Sequence, residues 1–210
     1  MLELTDIQKS YGTHAVLNIP SWRFDPGLYW LKGVNGSGKS TLMNVLAGLL
    51  PFKGEVKIDG FSLRRQPVEY RLLVNHSPAE PVYPAFVTGD ELIRFTMGIR
   101  KGDEAQLSKI RSALGIGGYT AQPTGSYSSG MLKKLSLLLA FTGSASWILL
   151  DEPFTTLDAA SQQALYNLIA DLRESGVSFL ITSHHDLVLP RLSFDKVLTV
   201  QDLNLVECKQ

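Results

Sequence analysis

The fold of this chain is decided by Gly33-Val34-Asn35-Gly36-Ser37-Gly38-Lys39-Ser40-Thr41, which fits the pattern G-x-x-x-x-G-K-[ST] of a phosphate-binding P-loop. The apolar residues 28–31 before it predict a short strand. Residues 42–49 after it carry apolar side chains on one helical face until Pro51 ends the helix. This order of strand, glycine loop and helix favours a phosphate site over an incidental glycine-rich turn. The stretch therefore predicts a site for a nucleoside triphosphate with Mg²⁺.

The residue types of the loop explain how it can hold a polyphosphate. Gly33, Gly36 and Gly38 allow a tight turn, so that backbone N–H groups and the positive end of the following helix face the anion. Lys39 can reach the β- and γ-phosphates, and the Ser40 hydroxyl can ligate Mg²⁺. The residues expected to contact the nucleotide here are Gly33, Asn35, Gly36, Ser37, Gly38, Lys39, Ser40 and Thr41.

Two adjacent carboxylates form the second chemical motif. Residues 147–150 are a continuous apolar run, which predicts a strand buried in a parallel sheet, and Asp151 and Glu152 follow it directly. In a P-loop fold the carboxyl end of such a strand points toward the phosphates. Asp151 can then hold Mg²⁺, and Glu152 can polarise the water that attacks the γ-phosphate. The alternative, a strand end merely capped by acidic residues, is disfavoured by the P-loop upstream.

The remaining hydrophobic pattern predicts an α/β fold. Residues 2–4 and 15–19 alternate like strands, and residues 54–60 form another alternating strand closed by an Asp-Gly turn. Residues 72–74 predict a further short strand, and residues 178–182 a further buried one. The early strands indicate an antiparallel β part set beside the nucleotide core.

The helical patterns predict how the chain is divided. A helix is expected over residues 159–175, and from about residue 88 onward the chain is mostly helical in pattern until the apolar strand of the second motif. We expect a single domain over residues 1–210. Residues 1–78 and 141–210 would form the P-loop core with its antiparallel β lobe, and residues 79–140 an inserted helical lobe.

Composition and charge narrow the classes of partner. The chain is 44% hydrophobic and 19% charged, which is ordinary for a globular protein. Its 20 basic and 20 acidic residues cancel, so there is no general basic field and no nucleic-acid partner is expected. The lone Cys208 excludes an intramolecular disulfide and favours a reducing compartment. Apolar runs such as residues 135–141 fall short of the roughly 20 residues that span a bilayer, so work at a membrane is expected to need a partner.

Further segments resemble the nucleotide-binding domain of exporter-type ABC ATPases. Tyr127-Ser128-Ser129-Gly130-Met131 resembles the signature motif of that family, and Leu157-Asp158 resembles its D-loop. His184 resembles the switch histidine, and Tyr11 the aromatic residue that stacks on adenine. The resemblance follows the family's order along essentially the whole chain. It implies ATP and Mg²⁺ as cofactors and Glu152, His184 and Lys39 as the catalytic residues.

For the signature and D-loop residues, the resemblance implies contacts across a dimer. Ser128 and Gly130 would contact the γ-phosphate held by a second nucleotide-binding subunit, and Asp158 is counted among the nucleotide-contacting residues. Two chains would thus sandwich two nucleotides. The alternative for Ser128 is a plain helix N-cap.

For the histidine and the aromatic residue, the residues themselves leave alternatives open. His184 would donate a hydrogen bond to the γ-phosphate, with His185 beside it as the competing candidate. Tyr11 would stack on adenine, or it is a half-buried strand residue.

The chain departs from the family's pattern at two places. Ser129 stands where the commonest signature has glycine, and Met131, where it has glutamine, resembles exporter-type members. The glutamine of the family's Q-loop is not found, because Ala79 or Glu80 occupies its place, depending on the gap chosen. Glu80 can approach Mg²⁺ or a water, but no amide is available there.

The resemblance implies an ATP-binding subunit of an ABC transporter that drives a separate transmembrane permease subunit. Met131 and the short C-terminus favour an exporter of a drug-, haem- or lipid-like substrate. The chain is expected in the cytoplasm, at the inner face of the membrane through the permease. The apolar residues 81–86 are either a docking site for the permease or ordinary loop packing. The alternative function is a stand-alone soluble ABC ATPase in an assembly complex.

Overall fold

The computed structural model describes residues 1–184 and 193–208, which fold into two β-sheets with helices around them. The strands are β1 (Leu2–Tyr11), β2 (His14–Phe24), β3 (Leu28–Lys32), β4 (Lys53–Ile58), β5 (Phe61–Ser62), β6 (Val74–Ser77), β7 (Trp147–Leu150), β8 (Ser178–Ser183), β9 (Lys196–Gln201) and β10 (Asn204–Glu207). The helices are α1 (Lys39–Leu46), α2 (Pro67–Leu72), α3 (Gly89–Arg100), α4 (Glu104–Ala113), α5 (Ser129–Phe141) and α6 (Ala159–Glu174). Among the helices of these two ranges, none has the length and apolar character needed to cross a bilayer.

The larger sheet has six strands in the order β10-β9-β3-β8-β7-β6. Its strands pair in parallel, except for β10, which is antiparallel to β9 at the edge. Every residue of β7 and β8 is buried, as strands covered on both faces require. Because β3, β7 and β8 are parallel, their carboxyl ends meet at one edge of the sheet. That edge carries the P-loop, Asp151 and His184.

The smaller sheet is antiparallel, in the order β2-β1-β4-β5. β1 and β2 form a long hairpin that turns at Gly12, where φ is +58°. β4 and β5 are joined through Asp59 and Gly60, with φ of +49° and +85°, which is the predicted Asp-Gly turn. The two sheets confirm the predicted α/β class with a P-loop core and an antiparallel part.

The segment between β6 and β7 supplies three of the six helices named above. α3, α4 and α5 all lie within residues 79–141, and α3 begins with a capping box between Thr88 and Glu91. Apolar side chains of α4, α5 and α6 cover one face of the larger sheet, while α1 and the smaller sheet cover the other. The division of residues 79–140 as a separate lobe stays a prediction.

The strand expected at residues 72–74 begins only at Val74. Pro67 occupies the first turn of the short helix α2, where its fixed φ is favourable, and the helix continues to Leu72. Tyr70 is fully buried and anchors this helix, since its hydroxyl donates to the Leu46 carbonyl at 2.6 Å. A tertiary contact therefore extends the helix into an apolar run that by itself indicates a strand.

The helix after the P-loop is shorter than its apolar pattern predicts. α1 ends at Leu46, and Gly48 follows in the left-handed region with φ of +70°. Leu49, expected on the buried face, is consequently 63% exposed. The helix is thus ended by a glycine and not by Pro51.

Candidate functional site

The P-loop lies between β3 and α1, and its glycines adopt conformations that other residues rarely reach. φ is +151° at Gly33, +81° at Gly36 and +103° at Gly38. A Cβ at Gly38 would lie 3.2 Å from Val16 Cγ1, so the loop also packs closely against β2. The loop curls around Lys39, whose Nζ donates to the Gly33 carbonyl at 2.6 Å and to the Val34 carbonyl at 3.0 Å. The ammonium is therefore held inside the turn that the glycines create.

The two acidic residues at the end of β7 are hydrogen-bonded to Thr182 of the neighbouring strand β8. Asp151 is 2% exposed, and its Oδ1 accepts a hydrogen bond from the Thr182 hydroxyl. The same hydroxyl oxygen accepts the Glu152 N–H at 2.9 Å. Glu152 has φ of +47°, a conformation that is uncommon for a residue with a side chain and that clusters at functional sites.

His184 follows β8 and contacts Glu152 directly. Its Nδ1 lies 3.0 Å from Glu152 Oε2, with both side chains partly exposed. The imidazole and the carboxylate thus meet at the sheet edge, next to the P-loop. The competing candidate His185 lies outside the described residues.

These groups surround one cavity of about 650 Å³, a volume typical of small-molecule sites. Its lining includes residues predicted from the sequence: Asn35, Gly36, Gly38, Lys39, Ser40, Thr41, Glu152 and His184. Ala79 and Glu80, the two candidates for the Q-loop position, both line it. Gly33 and Ser37 belong to the loop but not to the lining, and Asp151 is buried beneath it.

Four lining residues are missed by sequence reasoning. They are His14, Val16, Thr155 and Thr156. His14 is the cross-strand partner of Tyr11 in the β1–β2 hairpin, so the turn at Gly12 was a usable signal for it. Tyr11 itself is 50% exposed and does not line the cavity; its ring centroid lies 4.8 Å from Lys9 Nζ.

The signature and D-loop residues are not among those that line this cavity. Ser128 is the N-cap of α5 and accepts the Met131 N–H at 3.2 Å, and neither it nor Gly130 is among the lining residues. A Cβ at Gly130 would lie 3.0 Å from the Thr156 carbonyl oxygen.

Asp158 is also a helix cap. It accepts the Ser161 N–H at 2.8 Å at the start of α6 and pairs with Lys134 at 3.2 Å. These hydrogen bonds, led by the Ser161 N–H, lower the pKa of Asp158 to about 2. Within one chain, the structure does not bring Ser128, Gly130 or Asp158 to the P-loop.

Lys133, on the signature helix, is a further residue that sequence reasoning missed. It is 1% exposed, and its Nζ donates to the Pro78 carbonyl at 2.9 Å and to the Asp151 carbonyl at 3.2 Å. Burial lowers its pKa to about 8, against the opposing effect of the neighbouring carboxylates. The available signal was spacing, since Lys133 shares a helical face with the buried Leu137 and Ala140.

Comparisons with known proteins agree with this geometry. The ABC transporter family model matches residues 17–155. The human phospholipid-transporting ATPase ABCA7 is 31% identical over 161 residues, covering 74% of this chain and 8% of that protein. The lantibiotic transport ATP-binding protein SrtF of Streptococcus pyogenes is 28% identical over 188 residues, covering 88% of this chain and 80% of its own.

A solved structure has the same fold. The ATP-binding subunit of an ABC transporter superposes with a TM-score of 0.87 at 24% identity, over 99% of this chain and 89% of that chain. This chain spans only 8% of the length of the human relative. The family match covers more than half of the chain and includes the P-loop and both carboxylates. The chain therefore belongs to the ABC transporter family, as an ATPase domain that binds ATP with Mg²⁺.

Proposed function

We propose that this chain is the ATP-hydrolysing subunit of an ABC transporter, in which two copies close over two ATP molecules and drive a separate transmembrane permease. The observation that carries the proposal is the convergence of Lys39, Glu152 and His184 on one cavity. A cationic phosphate ligand, a carboxylate and an imidazole are the groups that phosphoryl transfer to water needs.

The P-loop binds the triphosphate. Lys39 exchanges its bonds to the Gly33 and Val34 carbonyls for oxygens of the β- and γ-phosphates, while the loop N–H groups and the start of α1 face the same anion. Tyr11 stacks on the adenine. Support for this comes from its position opposite His14, which lines the cavity, because directly opposed residues of an antiparallel pair share one face of the sheet.

Ser40 and Asp151 would hold Mg²⁺, through the hydroxyl and the carboxylate. Both are hard oxygen donors of the kind that Mg²⁺ prefers, and one or two such protein ligands suffice when phosphates complete the shell. Asp151 suits this role because Thr182 fixes its carboxylate by a hydrogen bond to Oδ1. When bound, the ion neutralises charge on the β- and γ-phosphates.

Glu152 orients the attacking water and accepts its proton. His184 hydrogen-bonds the γ-phosphate, and its Nδ1 contact with Glu152 fixes the two side chains relative to each other. The Thr182 hydroxyl accepts the Glu152 N–H and donates to the Asp151 carboxylate, so the backbone of Glu152 and the proposed metal ligand are held by one side chain.

The second copy completes the site. Ser128 and Gly130 lie at the start of α5, where Ser128 is exposed, and neither lines the P-loop cavity of their own chain. The positive end of that helix can face the γ-phosphate of a partner. Asp158 supports the arrangement indirectly, since its pair with Lys134 joins the start of α6 to α5.

A second cavity of about 390 Å³ is the proposed docking site for the permease. It lies between α3, α5, β6 and the end of α1, and it includes Val82 and Phe95, which are 86% and 67% exposed. Exposed apolar side chains around a groove are typical of protein interfaces and argue against simple packing of residues 81–86. Arg71 and Arg100 also line it, which favours a partner segment with acidic residues.

We further propose that the transporter is an exporter and that this chain lies at the inner face of the membrane through the permease. Met131 in the signature supports the direction, and the phospholipid and lantibiotic relatives support an amphiphilic cargo. Affinity isolation from native membranes tests the assembly. Recovery of a polytopic membrane protein supports the transporter, whereas recovery of a soluble scaffold protein would favour a stand-alone assembly ATPase.

The catalytic assignment is tested by Glu152→Gln, which keeps the size of the side chain and removes the base. We expect ATP binding to persist and the turnover number to fall by about 100-fold or more. Glu80→Gln removes the competing carboxylate of the same cavity and should have a much smaller effect. Hydrolysis by Glu152→Gln at the parent rate would show that the base is elsewhere.

A further inference from the structure

Lys133 does not line the nucleotide cavity, yet it contacts the peptide group that joins the two acidic residues Asp151 and Glu152. Its Nζ donates to the Asp151 carbonyl at 3.2 Å. That carbonyl and the Glu152 N–H belong to one peptide group, and the N–H donates to Thr182 Oγ1 at 2.9 Å. The peptide between Asp151 and Glu152 is therefore hydrogen-bonded on both sides, by Lys133 at its oxygen and by Thr182 at its nitrogen.

This peptide needs such support because of the backbone that follows it. Glu152 has φ of +47°, and a residue with a side chain keeps this conformation only where its surroundings determine it. Rotation of the peptide would redirect the Glu152 carboxylate, which now lies 3.0 Å from His184 Nδ1. The Lys133 ammonium is the group that opposes this rotation from the side of α5.

The second hydrogen bond of Lys133 joins the peptide between Asp151 and Glu152 to another wall of the cavity. Nζ donates to the Pro78 carbonyl at 2.9 Å, and Pro78 directly precedes Ala79 and Glu80, which line the cavity. The Ala79 side chain is a methyl group and can donate no hydrogen bond. The Asp151 N–H also donates to the Ser77 carbonyl at 2.9 Å, so Lys133 adds a side-chain link to the backbone pairing that joins this wall to the end of β7.

Burial of an ammonium is a costly way to stabilise a helix, since an apolar side chain of similar length packs without desolvating a charge. Lys133 is nonetheless 1% exposed, in a helix that is otherwise rich in leucine. A role in geometry explains this position better than a role in stability.

We propose that Lys133 is a positioning residue for ATP hydrolysis. Its two hydrogen bonds hold residues 78–80 and the Asp151–Glu152 peptide in one arrangement, so that a displacement of α5 changes the direction in which Glu152 points. The proposal rests on the proposed function, in which Glu152 is the base.

Three variants test the proposal. Lys133→Met keeps the length of the side chain and removes the donor, whereas Lys133→Arg keeps donors. Thr142→Val is the matched control, because Thr142 is also buried and its hydroxyl donates to the Leu138 carbonyl at 2.8 Å at the far end of the same helix. The turnover number, the KM for ATP and the equilibrium dissociation constant for ATP are measured for each variant and for Glu152→Gln.

A positioning role predicts a loss of turnover without a loss of ATP binding. Lys133→Met should lower the turnover number about tenfold or more and change the dissociation constant for ATP by less than about twofold. Lys133→Arg should recover a large part of the turnover, and Thr142→Val should retain the parent value. An unchanged turnover in Lys133→Met, an equal loss in the Met and Arg variants, or a parallel loss of turnover and ATP binding would overturn the proposal.

The failure of this proposal differs from the failure of the proposed function. A parent enzyme whose turnover depends on Glu152 but not on Lys133 contradicts only the role of Lys133. If Glu152→Gln keeps the turnover of the parent, the catalytic assignment is contradicted, and with it the proposed role of Lys133.

Discussion

Tyr11 and His14 face each other across the β1–β2 hairpin, beside the cavity that the P-loop forms. His14 lines that cavity, whereas the Tyr11 ring is half exposed and lies 4.8 Å from Lys9 Nζ. Lys9 in turn donates to the Pro51 carbonyl, so the cation is fixed on the sheet. An aromatic face that is held in place but still open to solvent is suited to stacking on a base.

Replacing Tyr11 by alanine should weaken ATP binding about tenfold, because base–aromatic stacking contributes about 1–3 kcal/mol per base. Tyr11→Phe should bind like the parent, since the ring is retained. The dissociation constant for ATP, measured by equilibrium titration for these variants and for His14→Ala, shows which ring stacks on the adenine. If Tyr11→Ala keeps the parent affinity while His14→Ala loses it, the stacking ring belongs to His14.

Residues whose role is local could be predicted from the sequence, and residues whose role depends on packing could not. The P-loop residues and Glu152 follow from spacing, because backbone geometry and strand direction place them. The helical spacing of Lys133 with the buried Leu137 indicates burial, but its two carbonyl partners come together only when α5 packs against β6 and β7. Thr182 is likewise missed, since its hydroxyl matters only through its register beside Asp151.

At the scale of elements, strand β6 carries a histidine that is held neutral. His76 is largely buried, and within the described residues its Nε2 has no hydrogen-bond partner. The pKa of His76 is lowered to about 4, mainly by burial; Asp151 opposes this shift, and the nearby Lys133 cation contributes to it. The strand therefore tolerates the neutral imidazole and disfavours the charged one.

This predicts a pH-dependent loss of stability. The unfolded chain takes up a proton at His76 below a pH of about 6.5, and the folded chain does so only near 4. The free energy of unfolding should therefore fall as the pH drops from 6.5 toward 4, by at most about 3 kcal/mol. Denaturant unfolding at pH 7 and pH 5 should show a smaller fall in His76→Gln than in the parent and in the control His14→Gln. Equal falls in all three proteins would remove His76 as the cause.

Strands could be predicted from the sequence where burial on both faces of the sheet produces a run of apolar residues. β7 is a continuous apolar run and β8 has one at its centre, and the predicted strands differ from the observed ones by no more than one residue at an end. The apolar run at residues 72–74 misleads because the hydroxyl of Tyr70 anchors α2 to the Leu46 carbonyl. The β1–β2 hairpin continues into polar residues up to Gly12, because backbone pairing and not alternation extends it there.

At the scale of the whole molecule, the two cavities are proposed to bind different partners. The smaller, apolar cavity is open to another protein, and Phe95 on α3 is one of its exposed side chains. Val68 on α2 is equally exposed, at 67%, but does not line that cavity. A comparison of substitutions at Phe95 and Val68 therefore distinguishes binding in this cavity from a general effect of exposed apolar side chains.

Phe95→Glu should abolish recovery of the permease from solubilised membranes, because it places a carboxylate in an apolar interface. Val68→Glu should leave recovery unchanged. Both variants should fold like the parent, since neither side chain is buried, and circular dichroism checks this. Equal recovery with both variants would contradict the assignment of this groove as the docking surface.

The central claim is that the P-loop cavity is half of a site that a second copy of the chain completes. Two variants distinguish the contributions of the two halves of the site. One carries Glu152→Gln alone, and the other carries Glu152→Gln together with Ser129→Asp. Ser129 is exposed in the first turn of α5, where an aspartate favours the helix but repels the γ-phosphate of a partner.

Light scattering after size exclusion, with ATP and Mg²⁺ present, tests this claim most directly. Glu152→Gln should have the mass of two chains, and the double variant the mass of one, with the same affinity of the P-loop for ATP. If both proteins have the same mass in ATP, whether of one chain or of two, the account of a composite site is contradicted.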